Sequence, residues 1–304
     1  MSSRRGEAVD GVLLLDKDAG ITSNAALQTA RRLIGARKAG HTGTLDPLAS
    51  GLLPLCFGEA TKFAGRWLDA DKVYRAELRL GVTTTTGDAE GEVLGERPVT
   101  CTAADVHAAA ATLRGEIEQM PPMYSALKHR GRPLYEYARA GQEVERQARR
   151  VTIHELNVEA VEGNFVRIFV RCSKGTYIRT LAESMGEALH CGAHLTALRR
   201  LSIGPLDLTP ALRLAQLEVG DVQSRRALLL PADILVSDFP RLDLDEKTAH
   251  RICRGQRVEL ACSVAAGTLR LYQSERFIGL ANYADGVLEA LRLLSEPAQI
   301  AVTA

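Results

Sequence analysis

The sequence lacks an excess of charge of either sign. Its 304 residues include 38 lysines and arginines against 37 aspartates and glutamates, a formal net charge of +1. Proteins that coat nucleic acid by charge alone are strongly basic, so the composition excludes that class and leaves only local basic patches for RNA. Hydrophobic residues make up 46% of the chain. At this length, that fraction predicts one large domain with its own core and one small domain.

The chain also lacks long apolar runs and paired cysteines. The apolar run at residues 12–15 is far too short for a signal-peptide core, and no other run reaches the length of a membrane span. Widely spread cysteines indicate free thiols and a reduced, cytoplasmic setting rather than a disulfide framework. The six cysteines are Cys56, Cys101, Cys172, Cys191, Cys253 and Cys262.

Signatures of nucleotide, metal and hydrolase sites are missing as well. No glycine pattern matches a P-loop or a dinucleotide fingerprint, and no serine elbow or cysteine–base pair stands out. His190 and His194 have metal-ligand spacing, but Gly192 interrupts the helix between them and no carboxylate motif accompanies them. We therefore expect no cofactor and no metal, which leaves a carboxylate to carry any chemistry.

Hydrophobic periodicity alternates between strand and helix along the first two-thirds of the chain. Residues 11–16 and 73–80 predict strands, the second with Tyr74 on its inner face, and residues 166–173 predict another. Hydroxyl and amide side chains at residues 22–24 offer caps for a helix that ends near Gly35. Interleaved strands and helices predict a mixed α+β body.

A basic, irregular stretch interrupts this body at about residues 120–151. Prolines and glycines break both the helical and the strand pattern, and the local charge is +4. Such a stretch is either a solvated loop or a grip for phosphates, and charge alone leaves both open. Its basic residues are Lys128, Arg130, Arg132, Arg139, Arg146, Arg149 and Arg150, and its acidic residues are Glu136, Glu143 and Glu145.

The texture changes again from about residue 237. Short alternating segments at residues 268–273, 276–283 and 287–294 are separated by turn residues at 274–275 and 285–286. The pattern predicts a compact β module. We therefore expect a division of the chain into residues 1–236 and 237–304.

Glycines and small hydroxyl residues crowd a loop at residues 38–51, with Asp46 in its middle. Such residues let a ligand approach the backbone closely. From residue type alone, an aspartate before a proline more often makes a turn or a helix cap than performs chemistry, and both interpretations stay open at this stage.

This loop and its surroundings resemble the bacterial tRNA pseudouridine-55 synthase family. The resemblance covers about residues 10–205 and keeps the order and spacing of several independent motifs. One departure is visible, because Asp18 follows Lys17 where the family commonly has proline, which affects a local turn rather than the loop of Asp46. The motifs lie at residues 11–17, 20–24, 38–54, 58–62, 72–75, 80–83, 86–88, 123–128, 134–137, 172–179, 191–195 and 198–201.

The resemblance implies an α+β pseudouridine synthase catalytic fold, a mixed central sheet with flanking helices, in residues 1–236. The basic stretch at about residues 120–151 would be its thumb insertion. Residues 237–304 would form a small β-barrel-like RNA-binding module of the kind called PUA. The implied partner is the T-arm of tRNA, with no membrane, no obligate protein partner and a monomeric protein.

The implied reaction isomerises the T-loop uridine at tRNA position 55 to pseudouridine after the base is flipped out of the loop. Asp46 is the implied nucleophile, Tyr74 stacks on the base and assists proton removal, and Arg179 is the partner of Asp46. Lys17 and Lys62 are expected to meet phosphate or carboxylate groups. The implied substrate-binding residues are His41, Tyr74, Tyr177 and Leu198.

Blander interpretations and rival functions stay open beside this one. Without the resemblance, Tyr74 would be a half-buried strand tyrosine, His41 a turn histidine and Leu198 a core leucine. The rival functions are an RNA-binding protein without turnover, a guide-RNA-dependent synthase that works within a multi-protein particle, and a glycosidase-like enzyme with Asp46 and Asp88 as paired carboxylates. Whether Asp46 would attack the sugar, attack the pyrimidine or assist loss of the base is also open.

Overall fold

The computed structural model describes residues 6–261 and 263–295. Short 3₁₀ segments at Gly58–Lys62, Ala64–Leu68 and Ala232–Val236 complement the α-helices. No helix in the described residues is long and apolar enough to cross a membrane. The α-helices of these residues are Ser23–Ile34 (α1), Ala103–Thr112 (α2), Leu134–Arg139 (α3), Ile178–Ala188 (α4), Leu214–Glu218 (α5), Val222–Arg226 (α6) and Glu246–Cys253 (α7).

Most strands of the described residues belong to two sheets. The N-terminal body, residues 6–236, carries the larger sheet, and the C-terminal end carries the smaller. The strands are Gly11–Lys17 (β1), Ala39–His41 (β2), Ser50–Phe57 (β3), Lys72–Leu80 (β4), Val82–Thr84 (β5), Val93–Glu96 (β6), Gly115–Gln119 (β7), Lys128–His129 (β8), Arg132–Pro133 (β9), Arg149–Glu162 (β10), Phe165–Cys172 (β11), Ala193–Ile203 (β12), Leu206–Asp207 (β13), Arg241–Asp243 (β14), Val258–Glu259 (β15), Gly267–Gln273 (β16), Arg276–Ala284 (β17) and Val287–Leu293 (β18).

The larger sheet is mixed, as the sequence predicts. Its order is β1-β3-β12-β4-β11-β10-β7, with β2 beside β3 and β13 beside β12. Neighbouring strands run antiparallel except β3 and β12, which are parallel. This parallel contact brings the start of β3, just after the Asp46 loop, against the middle of β12. The sheet therefore places three distant parts of the chain, around residues 50, 74 and 200, side by side.

Alternation and capping explain why the elements next to this region form. In β4 the side chains of Tyr74, Ala76, Leu78 and Leu80 are buried while Arg75 is exposed, which confirms the predicted inner face. Helix α1 begins after Thr22, whose hydroxyl accepts the Ala25 N–H at 3.0 Å. It ends at Gly35, which has the positive φ of a left-handed C-cap.

Helix α4 also follows its predicted pattern. Ile178, Leu181 and Met185 lie on its buried stripe. The helix ends at Ala188, and the chain reaches Gly192 only after a turn in which His190 has a positive φ. The predicted stop is therefore a few residues too late.

The basic insertion is mostly irregular in the structure. It contains the short hairpin β8–β9 and the single turn-and-a-half helix α3. Arg149 and Arg150, predicted to belong to it, instead begin strand β10 and pair with Gln119 and Glu118 of β7. The insertion thus leaves and re-enters the larger sheet at one place, between the end of β7 and the start of β10.

The three predicted C-terminal strands are all present, as β16, β17 and β18. They form a five-stranded sheet in the order β14-β16-β17-β18-β15. The turns fall where the sequence predicts them, with positive φ at Ser274, Asp285 and Gly286. Phe277 and Leu280 of β17 share an apolar cluster with Trp67 of the N-terminal body, so the module packs directly on that body.

The cysteines of the described residues are free thiols. Cys56, Cys172 and Cys191 are buried, Cys101 is partly buried and Cys253 is exposed. The sixth, Cys262, lies outside the described residues. Burial raises the pKa of the Cys56 and Cys172 thiols to about 12, so both are unreactive at neutral pH.

Candidate active site

Asp46 lies on the loop between β2 and β3, and this loop is fastened to helix α1. The hydroxyl of Ser23 accepts the Leu45 N–H at 2.8 Å and donates to the Leu45 carbonyl at 2.9 Å. Ser23 was predicted as one of several helix caps, but only Thr22 fills that role. Because Ser23 is buried and both its bonds go to the backbone of one residue, it fixes the chain immediately before Asp46.

Arg179 joins Asp46 to a second carboxylate. From the first turn of α4, its Nη2 lies 3.0 Å from Asp46 Oδ2 and its Nη1 lies 3.4 Å from Asp88 Oδ2. The guanidinium also donates to the carbonyls of Thr86 at 3.1 Å and Tyr124 at 2.7 Å. Only 6% of the Arg179 side chain is exposed, so the planar fork is held in one orientation between these partners.

Asp88 was named in the sequence only as the second carboxylate of a glycosidase-like rival. Its Oδ1 accepts the Thr86 hydroxyl at 2.6 Å and the Glu90 N–H at 3.1 Å. Because Asp88 is buried and reaches Asp46 through Arg179, it acts as a support for the arginine rather than as a solvated acid. Asp88 belongs to the family motif at residues 86–88, but the spacing of that motif alone does not show the contact with Arg179.

The environment of Asp46 opposes its ionisation. Desolvation in the cleft raises the pKa of this carboxyl group, and the nearby Arg179 cation acts in the opposite direction. The side chain keeps 39% of its surface exposed, so a substrate can reach the carboxylate even though the surrounding protein desolvates it. An accessible, poorly solvated carboxylate is a better nucleophile than one in open water.

Tyr74 and Arg200 face each other across neighbouring strands in the floor of the cleft. They are direct partners in the β4–β12 register, which puts their side chains on the same face of the sheet. Arg200 Nε donates to the Leu52 carbonyl at 2.8 Å and Nη1 to the Thr44 carbonyl at 3.3 Å. Arg200 therefore ties together the two ends of the Asp46 loop.

Sequence reasoning missed Arg200. It belongs to the motif at residues 198–201, and in β12 it follows the buried Leu198 at the strand spacing of two, which is the one signal that points inward. Burial raises the pKa of the Tyr74 hydroxyl, and the Arg200 cation acts against that rise. The tyrosine is therefore un-ionised at neutral pH and presents a neutral aromatic ring.

His41 lies at the end of β2, next to the Asp46 loop. Its ring is partly buried, and Nδ1 has no hydrogen-bond partner among the described residues. Burial lowers the pKa of this imidazole, and the Arg200 cation lowers it further. A neutral imidazole suits the stacking role that the sequence resemblance implies for His41.

Tyr177 and Leu198 complete the set of expected pocket residues. Tyr177 is the N-cap of α4 and is half-buried, and its electrostatic neighbours include Arg179 and Asp46. Leu198 belongs to the same apolar cluster as Tyr74. Electrostatic contacts, strand pairing and shared apolar packing thus link the expected site residues around the Asp46 loop, β4, β12 and the start of α4.

The two lysines expected to meet phosphate or carboxylate groups differ, because Lys62 pairs with a carboxylate whereas Lys17 donates to backbone carbonyls. Lys17 is fully buried, its Nζ donates to the Ile21 carbonyl at 2.7 Å and burial lowers its pKa to about 8, so the prediction is wrong for this residue. Lys62 forms an ion pair with Glu59 at 2.7 Å and donates to the Leu293 carbonyl of β18 at 2.9 Å. Lys62 therefore joins the N-terminal body to the C-terminal module.

The histidine pair of the sequence does not converge. His194 is buried and its Nδ1 pairs with the Val82 carbonyl at 2.9 Å, whereas His190 is exposed in the turn after α4. Within residues 6–261 and 263–295, no group of three or more histidine, cysteine, aspartate or glutamate side chains could hold a metal ion.

The mixed sheet with flanking helices is the fold of the pseudouridine synthases, and in this chain the Asp46–Arg179 pair lies beside that sheet. Solved structures share the fold: a Cbf5-Nop10-Gar1 complex matches with a TM-score of 0.69, at 23% identity over 93% of this chain and 84% of the other. An archaeal box H/ACA Nop10-Cbf5 complex matches with a TM-score of 0.67 at 21% identity, over 93% and 85% of the two chains. The C-terminal sheet forms a half-barrel, consistent with a PUA-like module.

The chain belongs to the TruB family of pseudouridylate synthases. The N-terminal domain of that family matches residues 31–178, a tRNA pseudouridylate synthase B C-terminal domain matches residues 179–237, and a pseudouridine synthase II TruB C-terminal domain matches residues 240–294. Relatives named tRNA pseudouridine synthase B include one from Aromatoleum aromaticum, 57% identical over 94% of this chain and 93% of its own length. Another, from Chromobacterium violaceum, is 56% identical over 96% of both chains.

Proposed function

We propose that this protein isomerises the T-loop uridine at tRNA position 55 to pseudouridine, with Asp46 as the nucleophile. The observation that carries the proposal is the Asp46 carboxylate, exposed at the cleft and paired with the buried Arg179 at 3.0 Å. The relatives with more than half of their residues identical bear the name of this activity.

The reaction needs one nucleophilic or charge-stabilising group and no redox agent. The bond between the sugar C1′ and N1 of the base breaks, the base turns, and C1′ joins C5. The proton on C5 leaves and N1 gains one, so atoms and charge balance without a co-reactant. Asp46 supplies the negative charge that attack on the base or stabilisation of a positive C1′ requires.

Arg179 keeps Asp46 ionised and oriented. Because desolvation favours the neutral acid, an adjacent cation is needed to hold the carboxylate at neutral pH. Asp88 and the two carbonyl partners of Arg179 fix the guanidinium, so the carboxylate has one preferred direction. This arrangement presents a pre-oriented nucleophile to the base.

A uridine inside a folded loop must leave its stack to reach Asp46, and the enzyme must replace the lost stacking. Tyr74 offers the aromatic face, and Leu198 and Tyr177 form apolar walls beside it. The neutral His41 fills the space that the flipped base leaves in the loop. Tyr74, Leu198 and Tyr177 would thus meet the flipped base, while His41 would meet the loop that the base has left.

Two basic regions would hold the tRNA. The insertion at residues 120–148 exposes Lys128 and Arg130 and stacks Arg139 on the ring of the exposed Tyr135. Residues 237–304 form the proposed second RNA-binding module, whose helix α7 exposes Lys247 and Arg251 one turn apart. With its own basic regions, the protein acts as a cytoplasmic monomer without a cofactor or an obligate protein partner.

The test is conversion of an unmodified tRNA transcript by the pure protein in the presence of a chelator. We expect wild type to form pseudouridine at one T-loop uridine, and Asp46→Asn to bind the tRNA with similar affinity but to form none. A transcript with cytidine at that position is the matched control and should stay unmodified. Wild-type binding without any pseudouridine would contradict the proposal and favour an RNA-binding protein.

A further inference from the structure

Gln119 is a buried polar residue that no part of the proposed mechanism uses. It ends strand β7, directly before the basic insertion, and only 2% of it is exposed. Its amide is committed to the backbone of a single residue: Oε1 accepts the Tyr177 N–H at 3.0 Å and Nε2 donates to the Tyr177 carbonyl at 3.3 Å. A buried amide with both ends used on one residue fixes that residue in position and in orientation.

Tyr177 is the residue at which helix α4 begins. Its side chain makes no cap to the helix, and its backbone is extended, with φ −100° and ψ 113°. Gln119 therefore supplies an anchor at the point where the chain enters the first turn of α4. Arg179 lies two residues further along, so the anchor lies close to the base of the side chain that pairs with Asp46.

A second contact joins the same two segments. Arg179 Nη2 donates to the Tyr124 carbonyl at 2.7 Å. Residues 119–124, the root of the basic insertion, are thus fastened to residues 177–179 at two points, one through Gln119 and one through Arg179. Because these contacts fasten the two segments together, a displacement of the root when the insertion meets RNA is passed on to the start of α4.

We propose that Gln119 is a positioning residue for the reaction, which holds the first turn of α4 in place against the root of the insertion. The inference rests on the proposed function, because it concerns the geometry of Arg179 and Asp46 during turnover. Gln119 does not touch the substrate. It sets the position of Tyr177 and Arg179, and the ion pair at Asp46 depends on that position.

Small displacements at this point have large consequences for rate. The Asp46 carboxylate is useful only in the orientation that the 3.0 Å contact with Arg179 imposes, and a misplacement of about 1 Å at a reacting group can lower a rate on the order of a hundredfold. Affinity for tRNA is distributed over many phosphate contacts, which Gln119 does not make. Loss of Gln119 should therefore affect the chemical step much more than binding.

The experiment uses full-length Gln119→Met, which keeps the length of the side chain but removes both hydrogen bonds, and Gln119→Glu, which keeps the acceptor for the Tyr177 N–H. Gln223→Met is the matched control, since Gln223 is an exposed residue of α6 outside the cleft. Single-turnover pseudouridine formation, tRNA affinity by filter binding and the thermal midpoint are measured for each. Rates are compared well below every midpoint.

We expect Gln119→Met to lower the single-turnover rate constant about 10- to 100-fold while the tRNA dissociation constant changes less than about threefold. Gln119→Glu should be no faster than Gln119→Met, because its second oxygen would face the Tyr177 carbonyl oxygen as a buried and unpaired negative charge. Gln223→Met should match wild type. An unchanged rate in Gln119→Met overturns the inference. A loss that lies entirely in tRNA affinity also overturns it, as does a loss of rate that disappears when cooling restores the folded protein. A wild type without turnover would instead contradict the proposed function.

Discussion

Arg179 in the cleft and Arg241 on the C-terminal module each lie between two carboxylates. In the cleft, Arg179 lies 3.0 Å from Asp46 and 3.4 Å from Asp88. On the module, Arg241 of β14 lies 2.7 Å and 3.4 Å from its two carboxylates, so its closer contact is shorter than that of Arg179. By distance alone the module pair is the stronger. Its two carboxylates are those of Asp243 and Glu275.

Burial separates the two clusters. The Arg179 side chain is 6% exposed, whereas that of Arg241 is 36% exposed and its partner Glu275 is 93% exposed. Water and salt screen a charge pair at the surface, so it contributes little, but a buried charge that loses its partner remains costly. The comparison teaches that the cost of removing an arginine here depends on the solvent around it rather than on its contact distances.

Among the substitutions of the two arginines and their carboxylate partner Asp88, Arg179→Met should have the largest effect. It leaves the carboxyl groups of Asp46 and Asp88 without their shared cation, so the free energy of unfolding should fall by about 3–5 kcal/mol and turnover by at least about a hundredfold. Urea unfolding and single-turnover assays measure the two effects. Arg179→Lys, which keeps the charge but not the fork, should retain more stability than Arg179→Met. A fully stable Arg179→Met protein would break the comparison.

Asp88→Asn should have a smaller effect, because Arg179 keeps Asp46 as a partner. The asparagine Oδ1 can still accept the Thr86 hydroxyl and the Glu90 N–H, so the local loop should keep its shape. We expect a loss of about tenfold in the single-turnover rate constant, with tRNA affinity unchanged. If the rate equals that of wild type, Asp88 does not orient Arg179 and only the contact with Asp46 matters.

The pH dependence of turnover should report the environment of Asp46. Its pKa is raised by burial, with Arg179 opposing the rise, and the reaction requires the ionised form. The rate constant should therefore fall as pH drops through a value above the ordinary aspartate pKa of about 4. Single-turnover rates across the acid range measure this, with tRNA binding followed at each pH. A rate that stays constant down to the ordinary value would mean that the cleft does not desolvate the carboxylate.

The sequence predicted those features that depend on neighbours along the chain. Alternation located the inner face of β4 with Tyr74, and turn residues located the hairpins of the C-terminal sheet, because strand and turn geometry are set by local dihedral preferences. The family resemblance supplied the candidate site residues, which the structure places in one cleft. Residue type and spacing alone had left Asp46 as a turn or a nucleophile.

The features that the sequence did not predict depend on contacts across the fold. Ser23 stands beside Thr22 with the same capping chemistry, yet it binds the Leu45 peptide, 22 positions away along the chain. Lys17 ends a buried strand and was expected to meet a phosphate or a carboxylate, but its ammonium group donates to loop carbonyls. Arg200 was passed over as one of several basic residues. In each case, the destination of a polar side chain is decided by which strand or loop the fold places opposite it.

Arg241→Met should have the smallest effect. The arginine stacks on the Tyr272 ring at 4.1 Å as well as pairing with its two carboxylates, and the methionine keeps part of that apolar contact. All the charges that lose a partner remain in water, so we expect the single-turnover rate, the tRNA affinity and the thermal midpoint to match wild type at both low and high salt. The same substitution in the two clusters isolates the effect of burial. If Arg241→Met destabilised the protein as much as Arg179→Met, then contact distance and not burial would rank the two arginines.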